Sequence, residues 1–185
     1  MADLAMSRRS LLAEVAMPSK SGVAAVTDPG ESARFIYRGD PALLPAAFGV
    51  ALPTIPMRAV VDVSRAALWL GPDEWLLLAR QEDGATLGVA LAAALAGKAA
   101  SLVDVSHRQV GLIVAGSHAA ELLNAGCPLD LDATAFPVGM CTRTILAKVE
   151  IILWRTAEDT FRIEVTRSFG PYVVELLREA MFGVA

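Results

Sequence analysis

The sequence is short of charge, histidine and cysteine, and each shortage removes a class of function. Only 19% of its 185 residues are charged, where an ordinary globular chain is nearer a quarter. Sixteen basic side chains against twenty acidic ones give a net charge of −4 and a pI near 5.2. That balance argues against nucleic-acid binding, which needs a basic face to displace counterions. His107 and His118 are the only histidines, and neither stands in an HxxxH or HxH pattern or beside a cysteine cluster, so no metal site is expected. Cys127 and Cys141 are too few for a disulfide framework, and reduced thiols in a cytoplasmic protein follow. No GxGxxG follows a strand and no Walker loop is present, so nucleotide binding has no motif behind it. Nor is a secretory signal expected, because no cationic start leads into an apolar run after Met1.

What is abundant is apolar surface. Hydrophobic residues make up 55% of the chain and the mean hydropathy is +0.50. A membrane span does not account for it. The uncharged run from Pro41 to Met57 carries Pro45, Pro53 and Pro56 and cannot be one regular helix. The run Ala85 to Gly97 is thirteen residues against the roughly 20 that cross a bilayer. Its Ala and Gly content suits a helix packed closely on several sides. The surplus therefore points to a soluble subunit that buries part of its surface against other chains.

The pattern divides into an arm, residues 1–32, and one domain, residues 33–182, built from two halves, 33–97 and 101–182. In the arm, Ser7 to Val15 suits one or two helical turns, and Pro18 to Gly30 reads as loop. The arm is expected to lie along a neighbour or to be a partly disordered terminus. In the first half, ARFIYRG reads as a strand and Asp40-Pro41 as a helix start. RAVVDV is a further strand, AALWLGPDEWLLLAR a hairpin turning at Gly71 to Glu74, and Ala85 to Ala96 the closing helix. The second half repeats the order. VGLIVAGSHAAELL matches RFIYRGDPALL, with the all-apolar Val110 to Ala115 expected to be buried on both faces. Ser117 is the expected N-cap of a helix that turns Ala119, Leu122 and Leu123 inward. The second hairpin places Trp154 where Trp69 fell and Phe161 where Trp75 fell. In its last strand Arg162, Glu164 and Thr166 alternate with apolar residues, which predicts one solvated face. Ser168 to Met181 closes the half as a helix with one apolar stripe. The fold class is α+β: two pseudo-repeated, ferredoxin-like halves with mixed or antiparallel sheets.

Candidate chemistry is thin. Asp104, Ser106 and His107 are the residue types of a hydrolase triad, but triad members converge from separate segments. Alternate residues on an extended segment also turn His107 away from the other two. The expected alternative is a turn whose Asp and Ser bond local backbone amides. Asp130 and Asp132 are read as solvated loop carboxylates, and Cys141 has no base to match it. No catalytic, cofactor-binding or metal residue is assigned. The candidate interface residues are His107, Arg108, Arg143, Trp154 and Arg167. For Arg143 and Arg167, as for Lys148, pairing across an interface and plain solvation both remain open.

Longer motifs carry a family resemblance. VDVSHRQVGLIVAG, LLNAGCPLDLDATAFPVGMCTRT, KVEIILWR and RSFGPYVVELL, together with WLGPDEWLLLA in the first half, resemble the gamma-subunit family of heterotetrameric sarcosine oxidases over roughly Arg34 to Met181. That family is similar to the folate-binding domain of the glycine-cleavage aminomethyltransferase. The resemblance implies a four-subunit flavoenzyme that oxidatively demethylates sarcosine to glycine and hydrogen peroxide. The one-carbon product is formaldehyde, or methylenetetrahydrofolate when tetrahydrofolate is present. It also implies that FAD, covalent FMN, NAD, tetrahydrofolate and zinc reside in the alpha, beta and delta partners, and that this chain is a cofactor-free structural subunit bound mainly to alpha. The enzymatic relatives carry a glycine-rich turn and paired aspartates where this chain has Leu146 to Leu153, so no catalytic residue is carried over. A stand-alone folate-binding protein of the same superfamily is the alternative.

Overall fold

The computed structural model describes residues 11–184. Among the described residues, eleven strands form two purely antiparallel sheets. The first-half sheet holds β3 (Ser32–Arg38), β4 (Ala59–Asp62), β5 (Arg65–Gly71), β6 (Glu74–Arg80) and also β7 (Ser101–Asp104), in the order β4-β5-β6-β3-β7. The other sheet runs β1-β2-β8-β11-β10-β9. Its strands are β1 (Ser19–Lys20), β2 (Ala24–Thr27), β8 (Gln109–Ala115), β9 (Cys141–Leu146), β10 (Val149–Ala157) and β11 (Thr160–Thr166). The sheets lie face to face with helices outside. Helices α1 (Pro45–Phe48) and α2 (Gly84–Ala94) cover one, and α3 (Ala119–Asn124) and α4 (Gly170–Gly183) cover the other.

Strand alternation explains the layering. In β3, Phe35 and Tyr37 point to the helices while Arg34 and Ile36 point to the opposing sheet, because successive side chains take opposite faces. Three cores result: one under each helix pair and a thinner one between the sheets around Leu68, Leu76, Cys141, Ile152 and Trp154. The two hairpin units match, but the expected start of the second half at residue 101 does not hold, because β7 pairs with β3 in the first sheet. Gly39 and Gly116 end matching strands at φ of +151° and +143°. Each hairpin also carries a register shift at the same place, Trp69/Gly71 and Arg155/Ala157. Those shifts correct the hairpin alignment by one residue. Phe161 does match Trp75, but Arg155 matches Trp69, and Trp154 faces the other sheet.

The first thirty residues are not an arm over the part described. β2 pairs with β8 through Ala25–Ala115, Val26–Val114 and Thr27–Ile113, the place on the second-half sheet that β7 takes on the first. Leu12, Val23 and Val26 are buried in the core under α3 and α4, and the Lys20 ammonium donates to the Met181 and Val184 carbonyls at the end of α4. A boundary at residue 33 therefore cuts through a sheet. Of the helical turn expected over Ser7 to Val15, residues 7–10 lie outside the described residues, and the remainder is a turn closed by Val15 N donating to Leu12 O at 3.0 Å.

Three local expectations also change. Ser117 does not cap α3. The helix begins after His118, and Ser117 Oγ donates instead to Gly22 O at 3.1 Å, because β2 packs close beside it. β8 is buried on its helix side at Leu112 and Val114, whereas on the inner face Gly111 is buried but Ile113 is half-buried. Helix α2 packs on one side alone, through Leu87 and Leu91 with Leu95 just beyond its end. Its outer face, Ala85, Val89, Ala92 and Ala93, is exposed.

Candidate functional site

The space between the sheets holds what the sequence pattern did not reveal. Glu164 was expected on a solvated face, but that face of β11 looks onto the other sheet and Glu164 is 1% exposed. Arg34, 2% exposed on β3, donates from Nε to Glu164 Oε2 at 2.6 Å. The Arg162 guanidinium donates to Oε1 at 2.7 Å. Ser32 anchors both arginines: its carbonyl accepts from Arg34 Nη1 at 2.9 Å and its Oγ from Arg162 Nη2 at 3.3 Å. Gly111, opposite Glu164 on β8, makes the room. A Cβ there would stand 3.2 Å from Arg34 Nη2 and 3.3 Å from Arg162 Nη2. One carboxylate thus clamps two sheets through charge-assisted bonds. The only sequence signal is Arg34 standing among the apolar residues of ARFIYRG, beside the charges of RIEV.

Beside this clamp the sheets splay into a cleft of about 570 Å³. Ile36, Val103 and Val105 line it from one sheet, and Ile145, Ile152 and Thr166 from the other. Arg143, one of the candidate interface residues, straps the mouth by pairing with Glu74 of the opposite sheet. Its partner is thus internal. Arg108 and Glu150 also line the cleft, and neither side chain has an ion-pair partner among the described residues.

Of the other candidates, His107, Arg108 and Arg167 lie together and Trp154 stands apart. His107 and Arg108 are exposed on the turn after β7. Trp154 is 8% exposed and belongs to the inter-sheet core, so it presents no surface. Arg167 is half-buried, and its backbone N donates to Arg108 O at 2.8 Å. Asp104, Ser106 and His107 form the expected turn and no triad. Asp104 Oδ1 accepts from Ser106 N at 2.9 Å and from Ser106 Oγ at 2.6 Å, and Ser106 Oγ accepts from Arg34 N at 2.9 Å. Asp130 and Asp132 cap their own loop, with Asp132 Oδ1 accepting from Thr134 N and Oγ1 at 2.8 and 2.6 Å. Those Thr134 bonds hold the exposed Asp132 carboxyl below its ordinary range. Burial pushes the Cys141 thiol up to about 12, leaving it inert as a nucleophile. His118 pairs with Glu121 on the surface at 2.9 Å. Among the described residues no group of three His, Cys, Asp or Glu could hold a metal ion, and no helix is long and apolar enough to cross a membrane. The β9–β10 turn is Ala147-Lys148 and carries no carboxylate.

Among known proteins, residues 38–182 match the model of the sarcosine oxidase, gamma subunit family. The chain belongs to that family. It is 38% identical over 181 residues to the sarcosine oxidase subunit gamma of Corynebacterium sp. (strain U-96), covering 97% of this chain and 83% of that one. The subunit gamma of an Arthrobacter species is 35% identical over 176 residues, covering 92% and 79%. Among solved structures, a chain of the heterotetrameric sarcosine oxidase from Corynebacterium sp. U-96, in complex with pyrrole 2-carboxylate, superposes with a TM-score of 0.88 at 33% identity. It covers 96% of this chain and 97% of that one. Aminomethyltransferase T of the glycine cleavage system from Bartonella henselae superposes at 0.64 with 14% identity, over 84% of this chain and 45% of that one. That likeness is one of fold, and it agrees with the two-half α+β expectation.

Proposed function

We propose that the chain is a cofactor-free structural subunit of a cytoplasmic, heterotetrameric sarcosine oxidase, bound by alpha, beta and delta chains and mainly by alpha. In this reading FAD, FMN, NAD, tetrahydrofolate and zinc sit in the partners. The assembly oxidatively demethylates sarcosine to glycine, hydrogen peroxide and formaldehyde or methylenetetrahydrofolate. Membership of the gamma-subunit family supports it, and the observation that carries it is the outer face of α2. No charged residue occurs from Gly84 to Gly97, and Val89 is 73% exposed on that face. An uncharged, outward-facing helix is the kind of surface a stable partner covers.

The test is co-expression with the neighbouring subunits. A tagged chain should pull down a stoichiometric flavin-containing complex, and the same chain expressed alone should be aggregated or poorly soluble. Val89→Glu, at an exposed position where it leaves the fold intact, should reduce recovery of the complex about tenfold or more, the effect of one charge placed in a desolvated interface. A monodisperse monomer that captures no other chain would refute the proposal, as would heat of tetrahydrofolate binding to the chain alone, which the stand-alone alternative requires.

A further inference from the structure

We propose that the cleft between the splayed sheets is where this chain receives an extended segment of another subunit, one with an apolar centre, an acidic residue toward Arg108 and a basic residue toward Glu150. The inference rests on the reading above that the chain works inside a hetero-assembly, and it says which face a partner enters.

The first observation is an unfinished core. Val103 pairs with Ile36 and Ile145 with Glu150, so both apolar side chains stand on faces that look into the inter-sheet space. Along the inter-sheet core Leu68, Leu76, Cys141 and Ile152 are sealed at 5% exposure or less, yet Val103 is 50% exposed and Ile145 45%. No other part of the described chain fills that corner. The floor is ready for apolar side chains, and covering it would bury surface at the usual gain for desolvating hydrocarbon.

The second observation selects a polypeptide. The cleft is bordered by β7 and β9, each the outermost strand of its sheet. An outermost strand offers a row of unpaired N–H and C=O groups that an added strand can satisfy.

The third is charge. Around the mouth, Arg143 and Glu74 satisfy each other, whereas Arg108 and Glu150 are left over with opposite signs. Burying either one without a counter-charge is unfavourable. An occupant covering the cleft therefore has to bring an acid to one and a base to the other. That requirement fixes the direction in which the segment lies.

The experiment places a photo-crosslinking amino acid at Val103 or Ile145 in the co-expressed complex, with Val89 on α2 and Glu158 in the β10–β11 turn as references. The expected result is that Val103 and Ile145 both trap the same sibling chain, within one short stretch containing an acidic and a basic residue. Arg108→Glu and Glu150→Lys should each lower recovery of that chain at least fivefold. These side chains are exposed or half-exposed, so the variants keep the fold. The proposal is overturned if the complex assembles and Val89 cross-links while Val103 and Ile145 trap nothing or trap a small molecule. It is equally overturned if both charge variants assemble at native yield. Failure of the unaltered chain to find any partner would strike the proposed function instead, so the two failures are distinguishable.

Discussion

Replacing Glu164 by Gln tests the reading of the inter-sheet clamp most directly. The change keeps the side chain's shape but removes the charge that faces Arg34 at 2.6 Å and Arg162 at 2.7 Å. One of the two guanidinium groups then meets an amide N–H rather than an oxygen. Arg34, at 2% exposure, cannot turn to water for compensation. Removing one partner from a buried ion pair costs about 3–5 kcal/mol. For a chain of this size, at about 2–4 °C per kcal/mol, that lowers the melting temperature by about 10 °C. Pulse proteolysis across a urea series reads the loss in lysate without requiring the isolated chain to be purified. The double variant Arg34→Met, Glu164→Leu should recover most of the stability, because well-packed apolar residues of similar volume replace a buried pair at little cost. A loss below about 1 kcal/mol for Glu164→Gln, the scale of a solvated surface pair, would refute the clamp. So would a double variant as unstable as the sum of the two single ones.

Gly116→Ala should be strongly destabilising, since its Cβ would lie 2.4 Å from Val23 O at a φ of +143°; a loss of about 2–3 kcal/mol on the same urea series is expected. Deleting residues 1–27 should abolish recovery of the chain in the co-expressed complex, because it strips β1 and β2 from the sheet and Leu12, Val23 and Val26 from the core; a truncation recovered there at native yield would contradict the integration of that segment. Cys141 should resist alkylation in the folded chain at pH 8 and react fully in urea, as mass spectrometry would show. Its folded pKa is raised to about 12, so the unfolded state gives up the thiol proton first and stability falls as pH rises above the ordinary thiol range. For Asp132 the sign is opposite. Its folded pKa is depressed by the Thr134 bonds, so that contribution is present at neutral pH and is lost as pH falls through the depressed value; Thr134→Val should move the carboxyl titration up, measured by NMR.

The reach of the sequence ends where periodicity stops distinguishing partners. The hairpins, the Asp40-Pro41 helix start and the inward set Ala119, Leu122 and Leu123 were legible because turn chemistry and spacing are local. An alternating strand such as β11 states that its two faces differ. It does not state that the polar face meets water, and here Glu164 meets Arg34 across 130 residues of chain. The same limit hid β2. A short run such as AAVT carries no sign of its partner, and only the fold shows that β8 is waiting for it. Ser117 failed as a cap because the neighbouring β1–β2 turn competed for its hydroxyl. The interface set divided for a related reason: Arg143 pairs with Glu74 inside the chain and Trp154 is buried in the core, while His107, Arg108 and Arg167 lie together.

Because β2 sits beside β8 and Lys20 reaches the end of α4, two strands made before the first-half sheet find their place only after it. The first-half sheet can close once Asp104 has been made, but the opening strands must wait for the final helix. During synthesis they are a ribbon without a seat, open to mispairing until β8 and α4 have been made.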